Sequence, residues 1–125
     1  MYESGEMYLE TILILSKSDK RIRAIDIANE MGFSKPSVSR ALGILKKEEY
    51  IEVDTNGNIF LTESGEKIAK TIYERHNLLT EVLIRLGVDE KIAQEDACKI
   101  EHVISDTSIK AIKIYIKTKK ADNLR

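Results

Sequence analysis

The segment from Ala24 to Leu45 constrains the fold more than any other. Two short amphipathic stretches lie close together there. One covers residues 24–31, with Ile27, Ala28 and Met31 at helical spacing; the other covers 35–48, with Val38, Ala41, Leu42 and Leu45 facing inward. Only Gly32-Phe33-Ser34 separates them. Gly32 suits the left-handed residue that ends a helix, and Ser34 is a natural N-cap. Pro36 falls in the first turn, where its missing N–H costs little. Helix, glycine-containing turn, helix is the layout of a helix-turn-helix. The run YIEVDTNGNIFLT follows at once: Ile51 and Val53 alternate with Glu52 and Asp54, and Ile59-Phe60-Leu61 returns. Asn56-Gly57 between them predicts a two-residue hairpin turn. A hairpin in that position is a wing.

The other segments are helical. Residues 3–17 carry Met7, Leu9, Ile12, Leu13 and Leu15 on a broad apolar side, and a polar connection over 17–23 follows. Thr62 or Ser64 caps a long helix to about Leu86, with Ile68, Ile72, Leu79, Val82, Leu83 and Leu86 on its inner face. Gly87 ends it; Asp89 opens a helix to about Val103, and Ser105 or Asp106 opens a last one to about Lys117. One Pro and six Gly in 125 residues leave few breaks and favour long helices. The expected fold is mainly α: a winged helix-turn-helix over 1–63, then an all-helical region over 64–125. Three helices so far along the chain need a partner surface, and a two-fold homodimer is the usual solution.

With 42% apolar and 33% charged residues the chain is globular rather than disordered. No apolar run approaches the ~18 residues that span a bilayer, which predicts no membrane partner. The acidic start MYESGEMYLE is not a secretory signal, and the single Cys98 cannot form an internal disulfide. A cytoplasmic location is the expectation.

The net charge of −1 conceals a division. Residues 17–47 hold eight Lys or Arg (Lys17, Lys20, Arg21, Arg23, Lys35, Arg40, Lys46 and Lys47) against three acids. Residues 87–106 hold six acids against two lysines. One region suits phosphates and the other cations, although two ordinary solvated surfaces would look the same. The second helix of the motif starts S-K-P-S-V-S-R, exposing Lys35, Ser37, Ser39 and Arg40. Short hydroxyls and an arginine at a helix N-terminus suit the major groove of double-stranded DNA, where Arg40 can take guanine O6 and N7. Free N–H groups there also hold phosphates, and Asn56 and Asn58 of the wing could touch the adjacent backbone or minor groove. A winged helix used for protein contacts, with Ser34 merely capping, is the plainer alternative.

The stretch D-A-C-K-I-E-H-V places Cys98 and Glu101 at i, i+3 and Cys98 and His102 at i, i+4, so a continuous helix carries all three on one stripe. Thiolate, carboxylate and imidazole together bind first-row divalent ions. Met7 and Glu10, also i, i+3, offer a thioether and a second carboxylate, and His76 is the other histidine. Singly, each has an ordinary explanation: Met7 as core packing, Cys98 as a small buried apolar residue, Glu101 solvated, His102 satisfying a carbonyl. A catalytic Cys–His pair would need oxyanion donors or a glycine-rich pocket, and neither is evident.

Six segments then carry a resemblance: E-M-Y-L-E at 6–10, D-I-A at 26–28, P-S-V-S at 36–39, L-T-E-S-G at 61–65, R-H-N-L-L at 75–79 and D-A-C-K-I-E-H-V-I-S-D at 96–106. Over about residues 2–110 the sequence resembles the diphtheria toxin repressor family of iron- and manganese-dependent transcriptional regulators. The resemblance implies an N-terminal winged helix, a helical dimerisation and metal-binding region, and no enzymatic activity. Its primary metal site maps onto Met7, Cys98, Glu101 and His102, commonly through a main-chain carbonyl at Cys98. The second ion of the manganese branch maps onto Glu10 and His76, with Glu101 shared. Its DNA contacts map onto Ser34, Pro36, Ser37 and Arg40. The manganese branch carries carboxylates where Met7 and Cys98 stand, so the sulfur donors resemble the iron branch. That branch's ancillary site uses His76 with a carboxylate and a second histidine, whose positions here are Thr80 and Gln94, and its SH3-like domain is not expected.

The expectation is a homodimeric, metal-activated repressor of metal-uptake genes bound to a DNA operator. Fe2+ is the expected ion and Mn2+ the alternative, with Co2+, Ni2+ or Zn2+ as surrogates. Two readings compete. A winged-helix regulator answering an organic effector would bind DNA equally well with a chelator present. A small metalloenzyme built on Cys98, Glu101 and His102 would need an open coordination position.

Overall fold

The structure, a computed structural model, describes residues 3–18 and 21–123. Asp19 and Lys20, both counted in the basic stretch, lie outside the described residues. The elements run α1 (Glu3–Ser18), α2 (Ala24–Met31), α3 (Lys35–Lys47), β1 (Ile51–Val53), β2 (Ile59–Leu61), α4 (Glu63–Arg85), α5 (Glu90–Ile100) and α6 (Asp106–Asn123). The chain divides inside α4 into two compact units, Met1–Thr71 and Ile72–Arg125. None of the described helices is long and apolar enough to cross a membrane.

The first unit is a winged helix. Its core joins Leu9, Ile12 and Leu13 of α1 to Ile27, Val38, Leu42, Ile51, Ile59 and Ala69, all buried. α1 packs on α2, α3 and β2, and α2 packs on α3. Local chemistry sets each boundary. The Arg23 N–H donates to the Asp26 carboxylate at 2.8 Å and starts α2. Gly32, at φ 71°, ends it, with its N–H on the Ala28 carbonyl. Ser34 caps α3 by accepting the Ser37 N–H. At the far end Glu49 takes φ 65°. The Glu49 and Tyr50 N–H groups then satisfy the carbonyls of Lys46 and Leu45, both at 3.0 Å. This is a Schellman motif with glutamate where glycine is usual.

The wing differs from the two-residue turn expected at Asn56-Gly57. β1 and β2 are antiparallel and pair Ile51 with Leu61 and Val53 with Ile59. Beyond them the Asp54 N–H donates to the Asn58 carbonyl at 3.0 Å, and the Gly57 N–H to the Asp54 carbonyl at 3.1 Å. Gly57 takes the positive φ, at 83°, and Asn56 does not. The connection is therefore a three-residue turn closed by a left-handed glycine. The physical reason is Asp54. Its carboxylate accepts the N–H groups of Asn56 and Asn58, each at 2.9 Å, and so fixes the longer loop.

Thr62, rather than Ser64, caps α4: its hydroxyl accepts the Gly65 N–H at 3.2 Å and donates to the Glu49 carbonyl at 2.7 Å. In the second unit Leu79, Ala97 and Ile109 form a core with Leu78, Ile100, Ile104 and Ile112 against it. Leu86 does not join the inner face; it is 70% exposed because α4 has already ended at Arg85. Gly87, at φ 101°, closes that turn. Asp89 caps α5 through the Lys91 N–H at 3.1 Å. Ser105 caps α6 through the Ser108 N–H, also at 3.1 Å. Two ends depart from expectation. α5 stops at Ile100, not near Val103. α6 continues to Asn123, since neither glycine nor proline interrupts it.

Candidate functional site

The first candidate surface is the N-terminal half of α3. Val38, Leu42 and Leu45 turn into the core, which leaves Ser34, Lys35, Pro36, Ser37, Ser39 and Arg40 exposed. All six residues expected to read DNA thus lie on exposed positions of one helix start. The Ser34 and Ser37 hydroxyls are 2.9 Å apart, so the cap also orients a second hydroxyl at the helix end. No acid sits in the first turn, which leaves the positive end of the helix dipole for an incoming anion.

The wing meets two arginines of the basic stretch, a pairing that local spacing did not reveal. Arg21 and Arg23 line a cleft of about 420 Å3 with Asn56 and Asn58. The Arg23 guanidinium donates to the Asn56 carbonyl, and the Ile59 N–H donates to the Ile22 carbonyl at 2.8 Å. The segment before α2 therefore anchors the wing. The N–H of Asn58, foremost among several donors, holds the Asp54 carboxyl below the usual carboxylate range. Nothing local in the sequence pairs Arg23 with a residue 33 positions away.

The second candidate site lies where α5 ends. Glu101 is the C-cap of α5, and His102 lies in the following turn. The expected single helical stripe of Cys98, Glu101 and His102 is thus interrupted. Glu101 is 1% exposed, so the solvated alternative does not hold. Its two carboxylate oxygens face different imidazoles. Oε2 lies 2.9 Å from His76 Nδ1, and Oε1 lies 3.3 Å from His102 Nε2. Cys98 is exposed rather than buried, with Sγ 3.7 Å from His76 Nδ1. The ligand atoms of His76, Cys98 and Glu101 all fall within 4.8 Å of one another.

Buried carboxylate oxygens are normally hydrogen-bonded. Glu101 Oε1 is buried and has no hydrogen-bond partner among the described residues. A buried carboxyl group beside imidazole nitrogens and a thiol is a donor set that fits a divalent cation. Met7 and Glu10, one turn apart on α1, are half-buried, and the Met7 carbonyl accepts the Thr11 hydroxyl at 2.8 Å. Gln94 is exposed and reaches Glu90 at 3.5 Å. The Thr80 hydroxyl is buried, with no hydrogen-bond partner among the described residues.

Two family models match the chain, one in each part. Residues 1–58 match the family model of the iron dependent repressor N-terminal DNA binding domain. Residues 62–123 match that of the iron dependent repressor metal binding and dimerisation domain. An HTH-type transcriptional regulator of Methanocaldococcus jannaschii is 34% identical over 118 residues, which is 93% of this chain and 94% of the relative. The HTH-type transcriptional regulator MntR of Bacillus subtilis is 34% identical over 122 residues, covering 98% of this chain and 86% of the relative. The solved structure of the manganese regulator SloR superposes with a TM-score of 0.81 at 29% identity, over 90% of this chain and 53% of that one. The chain thus spans about half the length of that structure. It belongs to the iron dependent repressor family of metal-responsive, DNA-binding transcriptional regulators, which are not enzymes.

Proposed function

We propose that this protein is a homodimeric repressor of metal-uptake genes that binds its DNA operator when loaded with a divalent metal. The buried Glu101 carboxylate, set between His76 and His102 with one oxygen lacking a hydrogen bond, carries the metal half of this reading. Cys98, Glu101, His102 and His76 would hold the ion, and the family resemblance adds Met7 and Glu10. A bound divalent cation supplies the positive charge that compensates a buried carboxylate. Sulfur from Cys98 and Met7 favours Fe2+ over the harder Mn2+. Mn2+ is the second reading, supported by the manganese regulator SloR among the similar structures.

The DNA half rests on α3. Lys35 and Arg40 offer charge to phosphates and bases, and Ser34, Ser37 and Ser39 offer short hydroxyls beside the helix N-terminus. Pro36 stands in the first turn, where its missing N–H costs little. A two-fold dimer would set two such helices about 34 Å apart, one DNA turn. The second unit leaves Ile84, Leu86, Ile92, Val103, Ile114 and Tyr115 exposed, which supports a second copy of the chain as partner. By linkage, any arrangement that completes the ligand set gains population when metal is present.

The test is an anaerobic Co2+ titration of the reduced protein, followed by selection of duplexes from a random pool with Fe2+, with Mn2+ and with a chelator. A thiolate-to-cobalt absorption band absent from Cys98→Ala, and metal binding lost in Glu101→Ala, are expected. Full-strength binding by Glu101→Ala would refute the centre. Equal DNA selection with chelator present would refute the metal response.

A further inference from the structure

Arg75 and His76 are neighbours on α4, and both reach the same residue. His76 Nδ1 meets the Glu101 carboxylate at 2.9 Å. The Arg75 guanidinium donates to the Glu101 carbonyl at 3.3 Å and to the Ile104 carbonyl at 2.9 Å, and pairs with the Asp106 carboxylate. One α4 residue thus grips the side chain of Glu101 and the adjacent one grips its main chain. The Arg75 side chain is only 15% exposed, whereas that of Asp106 is 81% exposed. The largely covered guanidinium is therefore committed to the turn, and the solvated ion pair completes it.

The placement has a physical reason. α5 ends at Ile100. The last carbonyls of a helix lack intrahelical partners and carry partial negative charge. A planar, permanently charged fork can hold the C-cap carbonyl of Glu101 together with the Ile104 carbonyl of the following turn, which a lysine ammonium does less well. Over the same residues the chain must leave α5, present Glu101 and His102, and enter α6 at Asp106. The geometry of those two side chains depends on where that turn is pinned.

We propose that Arg75 is a positioning residue for the metal centre: by holding the carbonyls of Glu101 and Ile104 it presents the Glu101 carboxylate and the His102 imidazole already arranged for the ion. This rests on the reading of Glu101 as a metal ligand. Arg75 itself does not touch the metal. A plain staple between α4 and the turn would instead affect stability alone.

The experiment compares the full-length reduced protein with Arg75→Met, Arg75→Lys, Asp106→Asn and Glu101→Ala. Each is titrated anaerobically with Co2+ well below its unfolding midpoint, and each metal-free form is melted in parallel. Removing a group that orients a ligand typically weakens metal binding by about 10- to 100-fold. Arg75→Met is expected to weaken Co2+ binding by that amount at unchanged stoichiometry. Arg75→Lys should recover part of the loss, and Asp106→Asn should show a smaller loss. Parental affinity in Arg75→Met, with only a lowered melting midpoint, would overturn the proposal. If Arg75→Met does not fold, parental affinity in both Arg75→Lys and Asp106→Asn would overturn it equally. Glu101→Ala separates the two levels: if it binds Co2+ as the parent does, the ligand assignment fails rather than the role of Arg75.

Discussion

Replacing Gly65 by alanine sets two ordinary rules against each other. Gly65 lies in the first turn of α4, and alanine is a better helix former by about 1 kcal/mol. Propensity alone therefore predicts a more stable protein. The surroundings predict the opposite. A Cβ on Gly65 would stand 2.0 Å from the Tyr50 carbonyl oxygen, 3.0 Å from its carbon and 3.3 Å from the Tyr50 Cα. All three are backbone atoms, so no side-chain rotation relieves the contact. The start of α4 would have to withdraw from Glu49 and Tyr50. Three hydrogen bonds cross that gap: Thr62 N–H to the Tyr50 carbonyl at 3.1 Å, and the Thr62 and Ser64 hydroxyls to the Glu49 carbonyl at 2.7 and 3.3 Å. At about 1 kcal/mol each, with strain of about 1–3 kcal/mol, the loss exceeds the propensity gain. A net destabilisation of about 3–5 kcal/mol follows, which for a domain of this size lowers the melting temperature by roughly 10–20 °C. Thermal unfolding of the metal-free protein by circular dichroism measures it. An unchanged or raised melting temperature would refute the close-approach argument and leave propensity in control.

Two further outcomes are expected. Glu49 sits at φ 65°, a conformation asparagine tolerates better than glutamate, so Glu49→Asn should stabilise the protein by up to about 1 kcal/mol; a lowered denaturation midpoint would count against it. The folded Asp54 carboxyl titrates below its unfolded value of 3.8, so the stability it lends the wing is complete above that pH and is lost as pH falls through the lower folded value. An NMR titration should place its midpoint below 3.8, with the Asn56 and Asn58 amides following, whereas a midpoint at or above 3.8 would refute the turn chemistry.

What was legible in the sequence divides by distance along the chain. The helix-turn-helix could be read because its signals lie within a few residues: Gly32 ending α2, Ser34 opening α3, and three buried residues at helical spacing. The wing could be read, but not its turn. Asn56-Gly57 is a strong pair, yet the Asp54 carboxylate two residues earlier imposed the longer loop. The end of α5 could not be read from periodicity, because it is held by an arginine 26 to 31 residues away. That unread boundary alters the candidate metal site. On an unbroken helix, spacing alone would align Cys98 and His102. With the helix ended at Ile100, Glu101 becomes the pivot, turning one oxygen toward His76 and the other toward His102. The residue types could be inferred from D-A-C-K-I-E-H-V, but their arrangement depends on α4, through Arg75 on the main chain and His76 on the carboxylate. A variant that kept all the ligand types and altered only the turn would thus change the site while its motif stayed intact.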